Sequence, residues 1–286
     1  MIKTINLNIV KMSKIDLMKN EDTKTKQPKM YTIQFGELNS QINNNKLFPD
    51  NTVSSTNYTI YNFFPKASLL QFKKTANLYN LIICILSFFS FSTKSPVSLI
   101  VPLMFTALIS IFKEAYEDYE RNKLDQKLNM REVLRYTEGK FTKTQCYTLI
   151  PGDIIKVEKD EEIPVDCLLI KSSHGKGICF INSTSLDGEA TLKEKIPVEE
   201  FKNLNFSSNG GIDIQGRIEC DEPNEILSSW EGIMYLNNLK IFCSLKNLIL
   251  KSCILKNTKW AIGIVVYSGI NTKIMMNSKK SFEKIL

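Results

Sequence analysis

Ser185-Leu186-Asp187-Gly188-Glu189-Ala190-Thr191-Leu192-Lys193 is the stretch on which the reading of this chain turns. Asp and Gly both suit tight backbone bends, so Asp-Gly-Glu alone is an ordinary turn with a solvated carboxylate. Its setting makes it more than that. It lies downstream of two uncharged runs of membrane length, in a chain with no other recognisable catalytic cluster. On both sides of it, Val, Ile and Leu runs are punctuated by Pro, Gly and Asp, the pattern of β-structure. Glu132-Val133-Leu134-Arg135-Tyr136 leads to a turn at Glu138-Gly139, Pro151-Gly152-Asp153 bends into Ile154-Ile155-Lys156-Val157, and Ile163-Pro164 precedes the run Val165 to Ile170. A second β-rich block runs from Gly211 through Trp260 to Gly269, with 195–210 expected as a connecting loop. Residues 131–275 read as one β-dominated cytoplasmic domain, followed by a linker at 276–286.

Upstream, Ala76 to Thr93 carries no charge over 18 residues and Pro96 to Phe112 none over 17. As helices each would reach roughly 25–27 Å, the short end of a hydrocarbon core. Two such runs separated by Lys94 and Ser95 imply a transmembrane hairpin at 76–130, including a charged stalk from Lys113 onward. Glu117 and Arg121 stand at the favourable i,i+4 spacing on that stalk. Lys73 and Lys74 precede the first run, and Lys113, Arg121, Lys123, Lys127, Arg131 and Arg135 follow the second, which puts both ends in the cytoplasm. The sequons at Asn57, Asn182 and Asn205 would then go unglycosylated. Residues 56–75, with Tyr61, Phe63, Phe64 and the lysine pair, suit a segment lying along the headgroups. Residues 1–55, rich in Asn, Lys, Ser and Thr without a sustained period, read as a mobile cytoplasmic tail.

Composition excludes several classes. The 37 basic and 30 acidic residues give a net charge of +7, too diffuse for a nucleic-acid groove and better matched to a membrane surface. Seven cysteines without a C-x-x-C pair and a single histidine, His174, argue against a zinc site. Most of the cysteines sit in apolar contexts such as Asp166-Cys167-Leu168-Leu169, where a free thiol acts as a small core hydrophobe. The first twenty residues contain no apolar core of signal-peptide length.

Several segments align in order with one family. Phe64-Pro65 with Gln71-Phe72-Lys73-Lys74-Thr75-Ala76-Asn77, and the stalk residues Lys113, Glu114, Asp118, Arg121, Lys123, Asp125 and Asn129, resemble the type IV P-type ATPases, the phospholipid flippases. Pro151-Gly152-Asp153-Ile154 and Ile163-Pro164-Val165-Asp166 resemble the G-D-I and I-P-A-D elements found across P-type ATPases. Asn257-Thr258, Gly263 to Gly269 and Thr272 to Ser278 are similar to the flippase run before the third span. The likeness covers about 56–280. It implies a membrane-anchored mixed α and β protein: a two-helix transmembrane hairpin with a charged stalk, then a β-rich actuator domain whose loop swings onto an aspartyl phosphate formed from ATP. By resemblance Glu189 positions and deprotonates the attacking water, Gly188 lets the backbone approach closely, Asp187 holds the loop's shape, and Thr191 and Lys193 support it.

Three departures qualify the likeness. Ala190 replaces the threonine usual after the glutamate, with Thr191 beside it as a partial substitute, and this implies slowed dephosphorylation. The region Ser87-Phe88-Phe89-Ser90 lacks the glutamine that the family often ties to lipid choice. No D-K-T-G-T and no G-x-x-x-x-G-K-[ST] occurs in the 286 residues. The expectation is therefore the front portion of a flippase, with Mg²⁺ and ATP bound elsewhere, phospholipid as the transported partner, and a two-span accessory subunit implied by the family. The alternatives are a non-catalytic membrane module that regulates a pump, and the leading part of a flippase-like region fused to a signalling enzyme such as a nucleotide cyclase.

Overall fold

The computed structural model describes residues 30–36, 48–56, 58–59, 61–89, 95–203, 214–236 and 239–283. Helix α1 (Phe63–Lys73) breaks at Lys74, which is extended (φ −70°, ψ 123°), and α2 (Thr75–Leu86) follows at once. The break is stitched from one side: the buried Gln71 offers its carbonyl to the Lys74 N–H (3.3 Å) and to Asn77 Nδ2 (3.0 Å). Helix α3 (Pro96–Asn129) is 34 residues long, about 51 Å. Among the described residues it alone is both long and apolar enough to cross a membrane, with a mean hydropathy of 1.8 over its apolar window. The first expected span is described only as the twelve residues of α2, about 18 Å, and residues 90–94 lie outside the described residues.

The stalk keeps helix spacing but not the expected Glu117–Arg121 pair. Arg121 faces Asp118 (3.2 Å) and Glu114 (3.7 Å), whereas Glu117 takes Lys113 (3.6 Å). Asp118 and Glu114 lie one and two turns back on the half-buried face that Arg121 shares; Glu117 points to the exposed one.

Thirteen strands form the described part of the sheet domain. Six build the main antiparallel sheet: β11 (Leu248–Ile249), β5 (Asp166–Ser172), β13 (Trp260–Tyr267), β4 (Ile154–Glu158), β2 (Glu132–Thr137) and β3 (Lys140–Gln145), in that order. β5 and β13 are buried along almost their whole length, so neither alternates; they are apolar on both faces because the core closes over both. Burying each such Val, Ile or Leu contributes about 1.5–3 kcal/mol. Turn chemistry sets the registers. Glu138 (φ 51°) and Gly139 (φ 82°) are both left-handed between the paired Thr137 and Lys140, the signature of a tight two-residue hairpin. Pro151 and Gly152 (φ 96°) fill a turn closed by Asp153 N–H to Ile150 C=O (3.2 Å), and the Asp153 carboxylate accepts the Ile150 N–H (3.0 Å).

A second sheet runs β1 (Tyr31–Phe35), β8 (Gly216–Cys220), β9 (Glu231–Leu236), β10 (Leu239–Ser244). Strand β1 corrects the expectation of a structureless tail through residue 55: Ile33 lies opposite Ile218 and both are fully buried. The alternation in Tyr31-Thr32-Ile33-Gln34-Phe35 is short, and its pairing partner is about 185 residues away, so local pattern did not mark it. The loop expected at 195–210 is also partly structured. Ile196 and Val198 donate to Lys246 C=O (3.0 Å) and Leu169 C=O (3.4 Å), and Phe201 is buried; residues 204–213 lie outside the described residues. The linker expected at 276–286 belongs in part to helix α5 (Lys273–Glu283). All seven cysteines are free and buried, and all but Cys84, which lies on α2, belong to the hydrophobic core of the sheet domain.

Asp166 is the polar centre of this core. Fully buried, it accepts the Lys251 N–H on Oδ1 (2.7 Å) and the Lys273 N–H on Oδ2 (2.8 Å). It thereby ties the first residue of β5 to the turn after β11 and to the start of α5. Burial pushes its carboxyl up to about 6, against the lowering pull of those two amides. In an Asp166→Asn variant one amide donor must meet an NH₂ group, so a loss of about 1–3 kcal/mol in denaturant unfolding is expected. Because the folded value lies above 3.8, the Asp166 contribution is greatest below 3.8 and is lost as pH rises through about 6. The wild-type minus Asn difference should therefore shrink over that window; a pH-independent difference would contradict the assignment.

Candidate functional site

The loop singled out in the sequence joins the third, small sheet, in which β12 (Ile254–Lys256), β6 (Cys179–Asn182) and β7 (Leu192–Lys195) lie side by side. Strands β6 and β7 are antiparallel neighbours with Asn182 opposite Leu192. Everything between these two residues must project beyond the sheet edge. The chain uses one helical turn, α4 (Thr184–Asp187), stopped by Gly188 in the left-handed region (φ 75°) with its N–H on the Thr184 carbonyl (3.0 Å). A Cβ at Gly188 would meet nothing within 4 Å. Within this chain, then, glycine is required by its positive φ; close approach to another group, as the resemblance implies, concerns what lies opposite the loop.

Asp187 organises the bend. Its Oδ1 accepts the Glu189 N–H (2.9 Å), and its Oδ2 accepts the Ser183 hydroxyl (2.8 Å) and the Lys193 ammonium (2.5 Å). The Lys193 hydrogen bond, with those from Glu189 and Ser183, holds the Asp187 carboxyl down at about 2. Lys193 is raised in turn, by its side-chain hydrogen bond to Asp187 first and to the Glu189 carboxylate second. Lys193 Nζ sits 3.2 Å from Glu189 Oε2, so one ammonium spans the two carboxylates. The Thr184 hydroxyl is shared between Asn182 Oδ1 (2.5 Å) and the Glu189 carbonyl (3.0 Å), and Ser185 Oγ anchors the outer side of the turn on the Ser252 carbonyl (2.9 Å). With its backbone held at both N–H and C=O, Glu189 keeps a side chain 61% exposed. Ala190 and Thr191 are exposed beside it.

The structure thus brings Asp187, Gly188, Glu189 and Lys193 together, with Thr191 exposed at the tip beside them. Asn182, Ser183, Thr184, Ser185 and Ser252 support the loop and were missed. The signal was there: Asn-Ser-Thr immediately before a one-turn helix is an Asx/Ser turn signature, read only as a sequon. Behind the loop lies a cavity of about 110 Å³ lined by Leu186, Lys195, Leu227, Leu250 and Cys253. That is below the roughly 300 Å³ at which small-molecule pockets begin. A wider hollow of about 410 Å³, lined by Met30, Glu219 and Phe242, shares no residue with the loop. This geometry is suited to offering a carboxylate outward rather than enclosing a ligand.

Residues 127–230 match the family described as "P-type ATPase actuator domain". Sheet, projecting Asp-Gly-Glu turn and match together define a P-type ATPase actuator domain. Residues 36–100 match "Phospholipid-translocating ATPase N-terminal". A "Probable phospholipid-transporting ATPase 12" of Arabidopsis thaliana is 39% identical over 230 residues, 80% of this chain and 19% of that protein. The "Phospholipid-transporting ATPase IH" of Homo sapiens is 32% identical over 248 residues, 83% of this chain and 21% of that protein. The chain belongs to the phospholipid-transporting, type IV P-type ATPases, and it spans about a fifth of the length of the relatives it matches.

If Lys193 sets the loop's electrostatics, Lys193→Met should return the Asp187 carboxyl from about 2 toward its ordinary 3.8 in a ¹³C-detected titration. A carboxyl that stays near 2 without that ammonium would show that the Ser183 and Glu189 donors suffice.

Proposed function

We propose that this chain is the N-terminal membrane and actuator portion of an ATP-driven phospholipid translocase, and that Glu189 hydrolyses an aspartyl phosphate carried on a phosphorylation domain outside it. The observation that carries this reading is the presentation of Glu189: a fixed backbone, an exposed carboxylate, and an open approach over Gly188. In the step, Glu189 orients a water and takes its proton. The water oxygen attacks phosphorus, the bond from phosphorus to the aspartate oxygen breaks, and inorganic phosphate and free aspartate remain. Lys193 and Asp187 hold the base in register. Gly188 leaves room for the phosphoryl group to come close to the backbone.

The membrane arrangement follows from the same chain. α3 passes directly from its apolar half into the charged stalk and on through Met130 into β2, so stalk and actuator share one side of the bilayer. The lysines before α2 favour an entry on that side too, the cytoplasmic one by charge. This supports a two-span hairpin with α1 along the headgroups. The family generally uses Mg²⁺ and ATP. Among the described residues no three His, Cys, Asp or Glu side chains gather as a metal-holding group, and no step is routed through Mg²⁺ or ATP. A phospholipid substrate is supported by the relatives' printed names; an accessory subunit stays an expectation of the family likeness. A purely regulatory module has no observation in its favour.

In the protein joined to its phosphorylation domain, Glu189→Gln should leave phosphoenzyme formation from ATP intact, slow its hydrolysis by about 10²–10⁴-fold, and abolish steady-state lipid transport. Phosphoenzyme decay at the wild-type rate would remove Glu189 from the chemistry.

A further inference from the structure

Residues 48–56 run between the sheet domain and the polar half of α3, gripping both. At the sheet end the Asn51 side chain is buried. Its Nδ2 donates to the carbonyls of Cys146 (3.1 Å) and Pro164 (3.3 Å), and its Oδ1 accepts the Gly269 N–H (2.9 Å) and the Lys251 ammonium (3.5 Å). The Asn51 N–H donates to Tyr147 C=O (3.1 Å), and Ser268 Oγ donates to Pro49 C=O (2.6 Å). A Cβ on Gly269 would fall 2.2 Å from the Asp50 carbonyl, so the segment lies flat against the turn there.

Two residues on, the grip changes partner. Asn129 Oδ1 accepts the Val53 N–H (2.8 Å) and its Nδ2 donates to the Val53 carbonyl (2.9 Å), a side chain pairing as a neighbouring strand would. Two further on, Ser55 gives its N–H (2.7 Å) and hydroxyl (2.8 Å) to the two oxygens of Asp125. Tyr58 then donates to Glu114 (3.1 Å), which faces Arg121. Asp125 and Asn129 are four residues apart, on one helix face, and Asp125 is buried.

Met130 and Arg131 alone join α3 to β2. The Met130 N–H still bonds the Gln126 carbonyl (2.9 Å). On the sheet side the Arg131 carbonyl accepts the Cys146 N–H (2.8 Å), while its guanidinium faces Glu162 (3.8 Å). The joint is thus held at both ends, and its remaining freedom is a hinge at the dihedrals between them. The segment from Asn51 to Ser55 supplies a second attachment across that joint, and two attachments fix an orientation that one does not. We infer, resting on the reading of Glu189 above, that Asp125 and Asn129 are positioning residues. Through Ser55 and Val53 they set the orientation of the actuator domain, and so of the Glu189 loop, against the polar half of α3.

The test has a structural and a kinetic readout. Spin labels go on cysteines replacing the exposed Lys113 on α3 and Lys140 at the β2–β3 hairpin, in the full chain in lipid nanodiscs; the seven native thiols are buried. The expected result is one narrow distance in the parent, a broad one in the Asp125→Ala/Asn129→Ala double variant, and a largely narrow one in Asp125→Asn, which keeps an acceptor for the Ser55 amide. Fluorescence of the two tryptophans, the buried Trp230 and the half-buried Trp260 packed on the same core, reports whether each variant folds. Should the double variant not fold, Ser55→Pro removes the amide donor from the other side and must broaden the distance. A narrow distance in whichever of these folds overturns the inference.

In the protein with its phosphorylation domain, the double variant should slow phosphoenzyme hydrolysis about 10- to 100-fold with little change in KM for ATP. Wild-type hydrolysis alongside a broadened distance would also overturn the positioning role. Glu189→Gln is the control that separates the two claims. If it leaves hydrolysis unchanged, the catalytic reading fails while the distances still judge the joint.

Discussion

Two buried side chains, Asp166 and Asn51, hold the polar centre on which the arrangement of this chain depends. Asp166 gathers the start of β5, the turn at Lys251 and the start of α5. Asn51, reached from Asp166 through Lys251, gathers the turns at Cys146, Pro164 and Gly269. Such groups are costly to bury and stabilise only when every lone pair and proton is used. Here the demand is met by the backbone groups of five residues, Cys146, Pro164, Lys251, Gly269 and Lys273, and by the Lys251 ammonium. The connections therefore select one arrangement of loops at the end of the main sheet from which the stalk helix leaves. Removing either side chain would strand several buried backbone donors or acceptors at once.

The loop at the other functional position follows the opposite rule. It carries few apolar contacts and an exposed ion-pair triad, which contributes little to global stability. Its order is local: a one-turn helix, a left-handed glycine, and a carboxylate that holds the following amide. Strength in the core and local hydrogen bonding at the tip divide the work. The core fixes where the tip stands, and the tip fixes how Glu189 points. Under the proposed reading, a base that must meet a phosphoryl group carried on another domain needs both.

Much of this was legible in the sequence. The Pro-Gly-Asp and Glu-Gly turns, the unalternating apolar run at β5 and the Asp-Gly-Glu bend are local signals, written in residues a few positions apart. The parts that were missed are nonlocal. Strand β1 is defined by β8, far along the chain, and Phe201 is placed by a core it reaches only after folding. Asn51 looked like one more Asn in an Asn-rich stretch; only the folded turns reveal its partners. Arg121 chose Asp118, at i,i+3, and Glu114 over Glu117 at i,i+4 because the three share the less exposed helix face. In the candidate site, Asp187, Gly188, Glu189 and Lys193 could be read from the motif, whereas the supporting hydroxyls required the geometry.

The most direct measurement is a structure of the protein, with its phosphorylation domain, trapped by a planar fluoroaluminate that mimics the phosphoryl group in flight. The account predicts the Glu189 carboxylate within about 2.6–3.2 Å of the water in line with that group, with the Gly188 backbone against its equatorial ligands. A trapped state in which Glu189 remains in solvent, and another carboxylate holds the water, would contradict it.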